Sequence, residues 1–129
     1  MIVSVGVDLV EVVRIRRALE STAIGRRFRD RVYTEREIQY CEKRRRGKYE
    51  SYAGRFAAKE AVMKALGRGW GSKVSWLDIE VLPAPGGRPE VHLRNRTLVF
   101  AQGLGIQRLS LSITHTDRYA MAYVIAQDE

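Results

Sequence analysis

The sequence predicts an α+β domain in which helices pack on a largely antiparallel sheet, and three observations carry that prediction. A β-branched run opens the chain at Ile2–Leu9, helical spacing dominates from Val12 to Leu66, and the second half alternates short strands with one helix. The resulting order is one strand, three helices, two strands, one helix and two strands. That order disfavours a doubly wound parallel sheet, which needs strands and helices in alternation. At 129 residues the chain suits a single domain over residues 1–129, with one core and room for one active site.

In the first strand Val3, Val5, Val7 and Leu9 share one face and Ser4, Gly6 and Asp8 the other, so Asp8 points away from the valines. Val12, Ile15 and Leu19 then recur at helical spacing, while Arg14, Arg16 and Arg17 make the exposed side of a short helix ending near Ser21–Gly25. Thr34 with Glu37 three residues later forms a capping box for a second helix, with Ile38 and Cys41 pointing inward. The run Lys43-Arg44-Arg45-Arg46-Gly47-Lys48 that follows reads as a solvated loop or helix end.

Ser51–Leu66 is helical throughout, and Ala57, Ala61 and Ala65 on one arc permit close packing. Arg55 and Lys59 fall among its bulky apolar positions, which suggests a helix that lines a site. Gly67 supplies the stop, because glycine accepts the left-handed backbone of a helix end. Asp78–Leu82 and Glu90–Leu93 read as paired strands joined through Pro83–Pro89, with Gly86-Gly87 as the turn. Thr97–Leu104 is a further helix, and Leu109–His115 with Tyr119–Ala126 closes the chain as a hairpin around Thr116-Asp117-Arg118.

Twenty-three Lys and Arg against 15 Asp and Glu give a net charge of +8, so the molecule attracts polyanions: nucleic acid, a phosphorylated cofactor or an acidic protein. Nucleic acid is disfavoured, because the chain has no recognition-helix or aromatic RNA-binding motif. Cys41 is the only cysteine, which excludes an intrachain disulfide and multi-cysteine zinc sites and favours a reducing compartment. No window approaches the roughly 20 apolar residues of a membrane span, and no signal-peptide pattern opens the chain, so a cytoplasmic protein is expected.

Asp8 and Glu60 are oxygen donors on different elements, and magnesium takes only one or two carboxylates while phosphates and waters complete its shell. The alternative is structural: Asp8 caps the helix that begins near Val10, and Glu60 pairs with Lys64 one turn on. Lys64 suits neutralisation of a diphosphate, and Arg55 and Lys59 are candidates for further phosphates or for ordinary ion pairs. Ser110, Ser112 and Thr114 alternate on one strand face and leave His115 exposed at the turn. No Ser-His-Asp or Cys-His context exists for nucleophilic catalysis, and the dinucleotide and Walker-type phosphate fingerprints are absent.

Four runs in order, Val5-Gly6-Val7-Asp8-Leu9-Val10-Glu11, Tyr33-Thr34-Glu35-Arg36-Glu37, Arg55–Gly67 and Leu111-Ser112-Ile113-Thr114-His115-Thr116, resemble those of the bacterial holo-[acyl-carrier-protein] synthases of the 4′-phosphopantetheinyl transferase superfamily. The resemblance runs from end to end and implies that fold. It also implies magnesium-dependent transfer of 4′-phosphopantetheine from coenzyme A to a serine of an apo acyl carrier protein, releasing adenosine 3′,5′-bisphosphate. It places Asp8 and Glu60 on the metal, makes Glu60 and Lys64 the catalytic pair, and leaves Glu60 and a metal-held water open as the base. Arg46, Arg55, Lys64, His115 and Thr116 would bind coenzyme A, and Arg14, Arg17 and Arg27 the acidic carrier. The resemblance further implies a homotrimer, the usual state of short members, with sites between neighbouring subunits, so His115 and Arg55 would meet the nucleotide from a different chain than Asp8. Ser4 in place of a common glycine, Arg68 and the basic run Lys43–Lys48 depart from the family pattern.

Overall fold

The computed structural model describes residues 1–129. Its elements are β1 (Ile2–Glu11), α1 (Val12–Glu20), α2 (Gly25–Val32), α3 (Glu35–Glu42), α4 (Lys48–Leu66), a 3-10 turn at Trp76–Asp78, β2 (Ile79–Pro83), β3 (Pro89–Leu93), α5 (Asn95–Gly103), β4 (Arg108–His115) and β5 (Tyr119–Gln127). The α+β class and the antiparallel pairing match expectation, but the strands form two sheets rather than one. One is three-stranded in the order β1-β5-β4, and the other is the β2-β3 hairpin.

The first half holds four helices, not three. The additional one, α2, carries four arginines and an aspartate in eight residues and has no side-chain cap, so its apolar stripe is narrow, outnumbered by charge and unannounced by a cap. It is held by what it touches: Phe28 meets the rings of Tyr33 and Phe56 with centroids 6.3 and 6.2 Å apart, and Val32 is buried. The Phe28/Val32 spacing of four was the one available signal. By contrast α3 begins as read, with the Thr34 hydroxyl accepting from the Glu37 amide and the Glu37 carboxylate accepting from the Thr34 amide.

Helix α4 is the axle of the fold, with thirteen of its nineteen residues buried. It lies across one face of the three-stranded sheet, meeting Gly6 on β1 through Ala61 and Ala65 and Ile113 on β4 through Gly54. The covered face of β5 is mostly small, with Ala120, Ala122 and Ala126 fully buried beside Val124, and on the helix Ala57, Ala58 and Ala61 are fully buried as well. Close approach of helix to sheet requires small side chains on both partners. The bulky residues are therefore on the other face, where Val3, Val5, Val7 and Leu9 of β1 stand beside Met121 and Tyr123 of β5, all of them exposed. Asp8 does point away from the valines, and its side is the covered one. Gly67 ends α4 at φ 73° with the Arg68 amide bonded to the Met63 carbonyl and the Gly67 amide to that of Lys64, which satisfies two orphan carbonyls. No helix is long and apolar enough to cross a membrane.

Candidate active site

Strand β1 and helix α4 meet in a zipper that sets the site. Ser4 donates its hydroxyl to the Ala65 carbonyl at 2.6 Å, occupying another of the carbonyls that the helix end leaves free. Two residues on, Gly6 lies so close that a β-carbon there would stand 2.0 Å from the Ala61 carbonyl oxygen. Two residues further, Asp8 reaches Lys64, whose ammonium lies 3.1 Å from the Asp8 Oδ1 and donates to the Val7 carbonyl at 3.1 Å. Ser4 thus replaces a missing helix bond, and Gly6 fixes the spacing. Gly6→Ala is expected to destabilise the protein by about 1–3 kcal/mol, because backbone and not a flexible side chain must yield. Ser4→Ala should cost about 1 kcal/mol. Urea unfolding measures both, and a Gly6→Ala variant as stable as wild type would contradict the tight approach.

Neither structural alternative for the acids survives. Asp8 caps no helix, since the residue preceding α1 is Glu11 and no side chain caps that end. Glu60 makes no hydrogen bond or ion pair, and Lys64 turns to Asp8 instead. Burial raises the Glu60 pKa, the negative charge of Asp8 raises it further, and Lys64 and Arg14 pull it back. A half-buried carboxylate without a partner, repelled by a second carboxylate, fits a cation. No third His, Cys, Asp or Glu completes a ligand cage. Two carboxylates alone suit magnesium, which keeps waters and binds through substrate phosphates, rather than zinc.

The remaining predicted residues fall into separate places. Lys59 is not available for phosphate, because it is wholly buried, paired with Glu37 at 2.8 Å and donating to the carbonyls of Trp76 and Ile79. It had the sequence pattern of a ligand-facing lysine, and the buried Glu37 that claims it lies 22 positions away. Arg55 is also buried, over the Tyr40 ring at 4.1 Å and 3.5 Å from the Ser51 hydroxyl, with its Nε unpaired. Arg46 is exposed before α4. His115 is exposed at the end of β4, and Thr116 uses its hydroxyl to accept the Arg118 and Tyr119 amides of the turn. β4 and β1 are the opposite edges of the sheet, two strand spacings or about 10 Å apart. One chain therefore does not bring His115 to Asp8.

Arg14, Arg17 and Arg27 are exposed and make no ion pair, and Arg14 is close enough for its charge to act on Glu60. Cys41 is buried against Ser51, and burial pushes its thiol up to about 11, which removes it from nucleophilic chemistry. What sequence reasoning missed is the exposed apolar sheet face, whose signal was the small-residue periodicity of β5.

Residues 4–124 match the 4′-phosphopantetheinyl transferase superfamily. The chain is 46% identical over 128 residues to the holo-[acyl-carrier-protein] synthase of Koribacter versatilis, covering 99% of this chain and all of that one. Among solved structures it is similar to the holo-[acyl-carrier-protein] synthase of Neisseria meningitidis, with a TM-score of 0.88, 31% identity and coverage of 98% of this chain and 99% of that one. It is also similar to that of Helicobacter pylori in complex with coenzyme A, with a TM-score of 0.82, 33% identity and coverage of 95% and 99%. With Asp8, Glu60 and Lys64 gathered where β1 crosses α4, these likenesses mean that the chain belongs to the 4′-phosphopantetheinyl transferase superfamily, among its holo-[acyl-carrier-protein] synthases.

Proposed function

We propose that the protein transfers 4′-phosphopantetheine from coenzyme A to a serine of an apo acyl carrier protein, with magnesium held by Asp8 and Glu60, acting as one domain in the cytoplasm. The observation that carries this reading is the unpartnered Glu60 carboxylate facing the charge of Asp8, on a chain whose relatives bear the synthase name. When bound, magnesium would supply charge neutralisation on the diphosphate and on the departing phosphate. The chain's own residues do the rest. Lys64, half-exposed on a flexible stem, adds a positive partner for the phosphates. Glu60, which no group of the chain holds by a hydrogen bond, or a water held by the metal would take the proton from the carrier serine. The serine oxygen bonds to the phosphorus that bears pantetheine, and the bond from that phosphorus to the bridging oxygen breaks. The bridging oxygen leaves with adenosine 3′,5′-bisphosphate.

Arg14, Arg17 and Arg27 form the docking face for the acidic carrier, and Arg14 puts that face beside Glu60. Docking of this kind steers the encounter and weakens with salt. Arg46 and Arg55 contact the coenzyme together with His115 and Thr116, which lie at the far edge of the sheet from Asp8, and that separation fits a site shared between neighbouring chains of a homotrimer. The apolar face of β1 and β5, with Val5 50% and Tyr123 44% exposed, supplies a surface for that association. Val7→Glu should dissociate the oligomer, because an unpaired charge buried in an apolar contact costs several kcal/mol. Sedimentation velocity reads this directly, and an unchanged particle mass would remove that face from the interface. The activity itself is tested by incubating the protein with apo carrier, coenzyme A and magnesium and looking by intact mass for phosphopantetheine on the carrier. No mass gain across a panel of carriers overturns the assignment.

A further inference from the structure

The Lys64 ammonium spends two of its three donors on β1, one on the Val7 carbonyl and one on Asp8 Oδ1, each at 3.1 Å. The Asp8 side chain is only 15% exposed, whereas that of Lys64 is 55% exposed. One end of this pair is fixed by the strand, and the other is free to swing. Glu60, one turn before Lys64 on the same helix, shares neither bond. The site therefore holds one positive charge against two carboxylates and hydrogen-bonds it to only one of them.

We propose that Lys64 is an internal stand-in for the metal at Asp8, and that it changes partner from Asp8 to the coenzyme diphosphate when the metal arrives. This rests on the magnesium reading given above and deepens it. A divalent ion that takes Asp8 Oδ1 displaces the ammonium from the same oxygen. With the ion alone, the displaced ammonium is left beside a new positive charge and has no anion to meet. With ion and diphosphate together, its long stem carries it to the phosphates. Ion and coenzyme then bind synergistically, and by linkage each tightens the other by the same factor.

Manganese(II) serves as the probe, with free ion followed by electron paramagnetic resonance on the intact protein, with and without coenzyme A. Wild type should bind the ion weakly alone and about tenfold or more tightly with coenzyme A. Lys64→Met keeps the stem and removes the ammonium, so it should bind the ion alone about threefold to tenfold more tightly than wild type. In that variant the gain from coenzyme A should shrink. Arg14→Gln removes a charge that also acts on Glu60 but touches neither Val7 nor Asp8, and it should alter ion affinity less than about twofold. Equal ion affinity in Lys64→Met and wild type overturns the exchange while leaving the metal site standing. So does an equal tightening in Arg14→Gln, which would make the effect one of general field. Absence of ion binding in every protein, with coenzyme A present, overturns the metal reading and the exchange together.

Discussion

Glu60→Gln should lower the rate of phosphopantetheine transfer by about 10³-fold or more and leave the protein at least as stable as wild type. The two halves of this expectation come from one fact, the absence of any partner for the Glu60 carboxylate within the chain. Burial and the Asp8 charge raise its pKa, so the folded state holds the Glu60 proton more tightly than the unfolded chain does. Stability from this group consequently falls as pH rises from the ordinary glutamate value through the raised one, and at neutral pH the cost of the ionised form is present in full. Glutamine removes the charge and with it that cost, while retaining the shape. A residue kept for structure would behave in the opposite way. The comparison needs the intact-mass assay and a urea unfolding curve across pH 4 to 8. A glutamine variant that keeps its activity, or one that unfolds markedly more easily, contradicts the role given to Glu60.

Lys59→Met, one position earlier on α4, should instead unfold the protein more easily by about 3–5 kcal/mol, because it strands a buried carboxylate without its cation. Lys59 and Glu37 are both fully buried, 2.8 Å apart. Burial depresses the Lys59 pKa, and Glu37 pulls it back. The pair is stitched into three elements: Glu37 accepts from the amides of Thr34 and Val81, and Lys59 donates to the carbonyls of Trp76 and Ile79. Loss of the ammonium leaves those two carbonyls without this donor as well. The double variant Lys59→Met/Glu37→Gln should recover part of the loss, since it removes the stranded charge along with its cation. A loss below about 1 kcal/mol in the single variant, the range of a surface pair, would mean that the cluster is not a folding determinant. Adjacent residues on one helix thus separate cleanly: Lys59 holds the helix in place, and Glu60 is held by it.

Much of this was legible in the chain itself because it is written in local chemistry. The Thr34/Glu37 capping box, the Gly67 stop and the Gly86-Gly87 turn each depend on residues within a few positions of one another, and each is in the structure. The pairing of Asp8 with the α4 site was legible for another reason: the order Ser4, Gly6, Asp8 puts small residues on the same face as the acid, and an approach as close as that of β1 to α4 needs such a face. The partner of Lys59 was not legible, because its counter-ion comes from α3 and nothing local distinguishes a buried lysine from one that faces a ligand. Helix α2 escaped because charge outnumbers its two apolar contacts and no side chain caps it, and it is held by Phe28 and Val32 against side chains distant in sequence. The outward turn of the β1 valines is a tertiary matter too. It is decided by the alanines of β5 and α4, which reserve the inner face for close packing.

In the proposed metal site Asp8 and Glu60 hold one divalent ion between them. Crystals of the protein soaked in manganese(II) and coenzyme A, with diffraction recorded at the manganese edge, test it most directly. One anomalous peak is expected within coordination distance of both carboxylates, with Lys64 turned from Asp8 toward the diphosphate. A peak that touches neither acid, or coenzyme bound with Lys64 still on Asp8 and no ion between the carboxylates, would contradict it.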